Sequence, residues 1–206
     1  MRQATRSPLP CQRHKAVFFD RDGCLNEDTG FVHRWAQFRW LPGAIEAIRL
    51  ANLAGWRVFV VTNQSGVARG YFPATAVEEL HRLLNADLAR HGAAIDAFRY
   101  CPHHPDYPQA GGVSECGCRK PAPGMIRDLL WAWRIDPAYA FMIGDQPRDV
   151  AAAERAGIAG YQASPGRVLE IVRRELRKRT LTLGKYVLAS GHIRPLGADC
   201  GPRSQV

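Results

Sequence analysis

No apolar stretch in the 206-residue chain approaches the roughly 18 residues that a membrane-spanning helix needs, which excludes a transmembrane role. The first fifteen residues, MRQATRSPLPCQRHK, hold no apolar segment of the secretory-signal type, so a cytoplasmic protein is expected. Six cysteines, unevenly spread, are too few for a disulfide framework. No internal repeat and no low-complexity segment is present, which argues against solenoids and linkers. What is present fits one ordinary globular domain: 46% hydrophobic and 23% charged residues, 19 Gly and 14 Pro.

Acidic side chains are outnumbered, 19 against 28 Lys plus Arg, for a formal charge of +9. The excess sits at the ends. Residues 1–15 carry four basic groups and no acid, and residues 165–206 carry nine basic against three acidic groups. The body between them holds 15 basic and 16 acidic groups and is close to neutral. Basic ends give loose, salt-sensitive contact with polyanions, so no specific nucleic-acid partner and no membrane partner is expected. The division read from this pattern is a basic tail over 1–14, a catalytic domain over 15–164, and a basic C-terminal helix and tail over 165–206. Of the last, 165–180 is expected to be an amphipathic helix and the chain from about 189 onward disordered.

Strand and helix patterns alternate through the body. Ala16–Phe19 is a short apolar run that stops at Asp20-Arg21-Asp22-Gly23, as a buried parallel strand would. Pro42-Gly43 opens a helix with Ile45, Ile48, Leu50 and Leu53 as its apolar side and Gly55 as its stop. Arg57–Val61 is a second strand, ending in Thr62-Asn63-Gln64-Ser65-Gly66. A helix from Pro73 carries Val77, Leu80, Leu83, Leu84 and Leu88 at three- to four-residue spacing. Ile95–Tyr100 is a third strand, 101–122 a Pro/Gly-rich loop, and Pro123–Arg134 a helix. Tyr139–Ile143 is a fourth strand, Val150–Ala156 a helix, and Ala159–Gln162 a last strand. The order implies an α/β, Rossmann-like, mostly parallel sheet with helices on both faces and no large cap domain.

In open parallel sheets ligands bind beyond the carboxyl ends of the strands. Three strand ends here deliver polar groups: Asp20 and Asp22, Thr62 and Asn63, Asp145 and Asp149. Lys120 stands just before a helix. Converging carboxylates repel one another unless a hard divalent cation sits among them, which suits Mg²⁺. A lysine, a hydroxyl and backbone N–H groups aimed at the same place suit phosphate. Separately, Cys101, His103, Cys116 and Cys118 form one histidine and three thiols in C-x-H…C-x-C spacing, a closed tetrahedral set suited to structural Zn²⁺.

These residues closely resemble the motifs of a known family. Asp-x-Asp-Gly after the first strand, Thr62 at the second, Lys120 before a helix and Gly-Asp-x-x-x-Asp from Gly144 look like the haloacid-dehalogenase (HAD) phosphatases, from about Lys15 to Gln162. Within that superfamily, Phe19–Gly23, Thr62–Gly66, Ala68-Arg69-Gly70 and the loop from Cys101 to Pro121 resemble the heptose 1,7-bisphosphate phosphatases. Histidinol-phosphate phosphatases are near relatives that share the loop. The resemblance implies hydrolysis of a sugar bisphosphate at its 7-phosphate, feeding nucleotide-activated heptose and lipopolysaccharide synthesis, by a monomeric enzyme.

The resemblance also implies roles. Asp20 is the nucleophile, forming an aspartyl-phosphate, and Asp22 the general acid and base, with a raised pKa. Mg²⁺ is held by Asp20, Asp145 and the main-chain carbonyl of Asp22. Thr62 and Lys120 stabilise the phosphoryl charge, with Asp149 orienting Lys120. Asp28, Thr29, Gly30 and Phe31 contact the sugar, and Asn63, Gln64, Ser65, Arg119 and Gln146 complete the substrate contacts. Arg69 is expected to pair with a carboxylate. Two positions depart from the family: Cys24 stands where Thr is usual, and Gln146 where Lys is usual, with Arg148 as a candidate replacement cation. A histidinol-phosphate phosphatase, and a nucleic-acid 3′-end phosphatase or binding module, remain as alternatives; the second lacks the metal loop in its relatives.

Overall fold

The computed structural model describes residues 14–107 and 116–190, with side chains through residue 179. Five strands, β1 (His14–Phe19), β2 (Arg57–Asn63), β3 (Ala97–Cys101), β4 (Ile135–Gly144) and β5 (Ala159–Gln162), form one sheet in the order β3-β2-β1-β4-β5. Every pairing is parallel, with Phe18 opposite Phe59 on one side and Met142 on the other. β1 and β4 are longer than the apolar runs suggest because a bulged register lets His14 pair with Ile135.

Side chains alternate across the sheet with period two. Val17, Phe19, Val58, Val60, Phe141 and Ile143 enter one core. Ala16, Phe18, Phe59, Val61, Ala140 and Met142 enter the other. The first is covered by α1 (Ala44–Leu53) and α5 (Val168–Ser190), the second by α3 (Gly124–Ala132) and α4 (Pro147–Arg155). α2 (Ala74–Arg90) reaches the first core with Leu88 and builds a smaller cluster of Leu80 and Leu84 against Val32 and Phe38. This is the helix-flanked parallel sheet that the alternating pattern implies, and the described residues contain no second sheet.

Three expectations need correction. α1 buries Ala44, Ala47, Ile48 and Ala51, whereas Leu53 is 73% exposed, because α5 packs so close that small residues face it. The core does not stop at 164: Val168, Ile171, Val172 and Leu176 of α5 are part of it. The helix also runs through 189–190, where disorder is expected. The remaining tail residues, 1–13 and 191–206, lie outside the described residues.

Candidate active site

Each strand of the central three ends abruptly where its apolar alternation gives way to polar residues, so their last side chains meet at one edge. Asp20 follows β1 and is buried; its Oδ1 accepts the Arg21 N–H at 2.7 Å and meets Lys120 Nζ at 2.8 Å. Lys120 Nζ also lies 2.7 Å from Asp149 Oδ1 and donates to the Val61 carbonyl at 2.8 Å. Burial works against the lysine's charge, but the two carboxylates outweigh it and raise its pKa. Burial likewise pushes Asp20 up to about 6, against the pull of Lys120.

Lys120 is placed by Asn63. The Asn63 amide donates to the Lys120 carbonyl and accepts its N–H, both at 3.0 Å. Gln64 turns inward as well: its Nε2 donates to Asp22 Oδ2 at 2.8 Å and to Thr62 Oγ1 at 2.9 Å. Two residues expected to touch substrate therefore hold the catalytic candidates in register. Ser65 is half-buried beside them.

Asp22 departs from expectation. Burial raises its pKa, but the Arg21 guanidinium, with further donors on Asn26 and Gln64, more than reverses this and leaves it below the usual carboxylate range. Arg21 Nε and Nη2 grip the carboxylate at 3.1 and 2.9 Å, and Nη2 also donates to the Val32 carbonyl. Arg21 is fully buried, and its Nη1 lies 3.4 Å from Nε2 of His81 on α2. His81 stacks on Phe98 with ring centroids 4.4 Å apart and is held neutral, its pKa lowered to about 3 by burial and by Arg21. Neither residue is assigned a role from the sequence. The signal for His81 is its place on the Val77–Leu88 stripe, and for Arg21 its position between two carboxylates at a strand end.

Asp20, Asp145 and Asp149 bring carboxylate oxygens within 4.8 Å of one another, a set that could hold a metal ion. Asp145 Oδ1 is buried without a hydrogen-bond donor, while Oδ2 accepts Gln146 Nε2 at 2.6 Å. Three acids against one lysine, with an orphaned oxygen, fit a hard cation. Gly23, at φ +80°, is packed so tightly that a Cβ there would lie 2.6 Å from Asp145 Oδ2. Cys24, in place of the usual Thr, is buried with its thiol 3.5 Å from the Ile143 carbonyl.

Cys101, His103, Cys116 and Cys118 also come together. Cys101 Sγ lies 3.5 Å from Cys116 Sγ and 3.2 Å from Cys118 Sγ, and His103 Nδ1 lies 3.4 Å from Cys118 Sγ. Ligands on a tetrahedral zinc, with bonds of about 2.0–2.3 Å, stand roughly 3.5–3.8 Å apart. The separations here lie at or slightly inside that range, and all four ligand atoms are within 4.8 Å of one another, so one ion could sit among them. The cysteines are free of disulfides, and burial holds the Cys101 thiol well above its ordinary pKa. His104 is outside the cluster, meeting Arg69.

The remaining substrate candidates rim this edge. Gly30 N–H caps the Asp28 carboxylate at 3.0 Å, and Thr29, Gly30 and Phe31 are exposed on that turn. A cavity of about 770 Å³ beside Asp145 is lined by Glu27, Asp28, Gln146 and Gln162 among others. Arg119 is half-buried and donates to the His103 carbonyl at 3.1 Å. Arg148 is exposed on the first turn of α4 and does not line the cavity. No helix among the described residues is long and apolar enough to cross a membrane.

The chain is similar to known proteins. A HAD-hydrolase-like family model matches residues 117–167. The D-glycero-β-D-manno-heptose-1,7-bisphosphate 7-phosphatase of Rhodopseudomonas palustris is 46% identical over 150 residues, 73% of this chain and 83% of that one. The chain belongs to this family of HAD-like phosphatases. The family's Pasteurella multocida member, of the same name, is 42% identical over 144 residues, 70% of this chain and 78% of its own. Among solved structures, the D,D-heptose 1,7-bisphosphate phosphatase from B. bronchiseptica, complexed with magnesium and phosphate, superposes with a TM-score of 0.72 at 33% identity. That match covers 80% of this chain and 99% of the other.

Proposed function

We propose that the protein is a Mg²⁺-dependent phosphomonoesterase that removes the 7-phosphate of D-glycero-D-manno-heptose 1,7-bisphosphate. The observation that carries this reading is the buried Asp20–Lys120–Asp149 chain at the edge of the sheet, in a chain of this family. Mg²⁺ would be held by the carboxylates of Asp20 and Asp145 and the main-chain carbonyl of Asp22, and would supply charge neutralisation between two anions. Zn²⁺ would be held by Cys101, His103, Cys116 and Cys118 and would fix the loop that leads into Arg119 and Lys120.

Asp20 attacks phosphorus in line, and the bond from phosphorus to the sugar oxygen breaks. Lys120 and Thr62 face the charge that spreads over the transferring group. The leaving oxygen takes a proton from Asp22. Because Arg21 keeps Asp22 ionised beforehand, that proton arrives with the substrate: a phosphate monoester is itself partly protonated near pH 6, and its charge raises a neighbouring carboxyl. Asp22 then takes a proton from water, which attacks the aspartyl-phosphate, releases phosphate and restores Asp20. A monomer acting on a small cytoplasmic sugar phosphate, in nucleotide-activated heptose synthesis, goes with this reading.

The test is a turnover panel of heptose 1,7-bisphosphate, histidinol phosphate and a DNA 3′-phosphate, with and without Mg²⁺. The expected result is Mg²⁺-dependent release of one phosphate, fastest from the heptose. Faster turnover of either other compound overturns the reading.

A further inference from the structure

Arg69 is a cation that the phosphoryl site does not use. It lies in the turn after β2, where its main-chain N–H bonds to the Ser65 carbonyl at 3.1 Å. It has no carboxylate partner among the described residues. Its guanidinium instead lies 4.2 Å from the ring centre of Tyr107 and 5.9 Å from that of Phe31, while Nη2 meets His104 Nε2 at 3.3 Å. Its Nε is buried and lacks an acceptor. Aromatic faces steady a guanidinium without using its donors, and donors left over in a half-dry setting are suited to an anion.

The charge around the site is lopsided. In the sheet order, β2 and β3 lie to one side of β1, and β4 and β5 to the other. On the β4–β5 side, the cavity beside Asp145 is bordered by Glu27, Asp28 and the neutral Gln146, with no Lys or Arg in its lining. A second phosphate there would meet only like charge. On the β2–β3 side, Arg119 donates to the carbonyl of His103, and Arg69 meets the next residue, His104. Two guanidiniums thus hang from consecutive residues of the metal loop. Phe31 and Tyr71, edge-to-face at 4.9 Å and 44% and 59% exposed, form an apolar rim beside them.

Resting on the bisphosphate reading above, we propose that Arg69 is a specificity-determining residue that receives the substrate's second, non-reacting phosphate on the β2–β3 side of the site. Charge-assisted hydrogen bonds from Arg69 and Arg119 would orient the sugar across the exposed aromatic rim, with the reacting ester at Asp20. Gln146, bound to Asp145, takes no part in holding that anion.

Wild type, Arg69→Lys and Arg69→Gln should be compared on heptose 1,7-bisphosphate and on p-nitrophenyl phosphate, which has no second anion. In Arg69→Gln the ratio of kcat/KM for the bisphosphate over that for p-nitrophenyl phosphate should fall about ten- to a hundred-fold, chiefly through KM. Arg69→Lys should retain part of the ratio. An unchanged ratio overturns the inference. So does an equal fall on both substrates with loss of loop metal, which would mark Arg69 as structural. If wild type fails on the heptose, the proposed function fails. Arg69 is then judged on a hexose bisphosphate and its monophosphate, where a falling ratio supports the inference and a constant one overturns it.

Discussion

Lys120 Nζ and Asp149 Oδ1 stand 2.7 Å apart with 1% and 0% of the two side chains exposed. The pair ties the residue leading into α3 to the first turn of α4, across the strand ends. Because Asp20 flanks the same ammonium at 2.8 Å, removing the amine strands two buried acids. Lys120→Met is expected to destabilise the protein by about 3–5 kcal/mol and to abolish turnover. Urea unfolding at pH 7.5 reads the first effect, and a phosphatase assay the second.

Asp20→Asn keeps the shape and the hydrogen bond from Arg21 but removes the oxygen anion proposed to attack phosphorus. Turnover should fall at least about a thousand-fold, with the circular dichroism spectrum and oligomer profile unchanged. Rapid-quench labelling should find phosphorus on the wild-type protein and none on the variant. A variant that keeps a large share of wild-type turnover would show that another group attacks.

His81 gives a pH signature. Its folded-state pKa of about 3 lies below the ordinary 6.5, so between those values the unfolded chain binds the extra proton. Stability is therefore full above pH 6.5 and is lost as pH falls through this window, on the order of 1.4 kcal/mol per unit. His81→Phe retains the stacking on Phe98 and removes the titration. Its unfolding free energy at pH 7.5, 6 and 5 should decline less steeply than that of wild type.

Cys118→Ser removes one ligand from the Cys/His cluster. Elemental analysis of chelator-free protein should find about one zinc per wild-type chain and far less in the variant. Melting should drop by about 5–10 °C, and turnover should decline with it, because residues 116–118 lead directly into Arg119 and Lys120. Wild-type protein without zinc would refute the site.

Gly23→Ala forces a methyl group against the Asp145 carboxylate at a backbone angle that L residues rarely adopt. The strain is about 1–2 kcal/mol. The larger effect should fall on the metal: the Mg²⁺ concentration for half-maximal activity should rise at least about ten-fold. Titrating activity against Mg²⁺ checks this.

The strands were legible because buried parallel strands read as unbroken Val/Phe runs, and their polar ends announced Asp20, Thr62 and Asp145. Motif spacing likewise grouped the Cys/His cluster, whose members all lie between residues 101 and 118. What was not legible depended on partners that no local pattern reveals. The buried face of α1 is alanine-rich only because α5 lies against it. The fully buried Arg21 looks like an exposed turn residue until Val32, His81 and Asp22 are seen around it. The low pKa of Asp22 follows from that enclosure, so carboxylate spacing alone points the wrong way. Trp131 on α3 is apolar yet 78% exposed, because Met125, Ile126, Leu129 and Leu130 fill the buried face of that helix.

The turn carrying Thr29 to Phe31 hangs outside the layers that give the domain its stability. Thr29 is exposed and free of the interior's packing penalties, whereas Gly30, at φ +84°, and Phe31, at φ 51°, are held by their backbone conformation. If the turn meets the sugar as proposed, laboratory evolution aimed at new leaving groups has its natural starting library at Thr29, with the buried Asp20–Lys120–Asp149 chain left untouched.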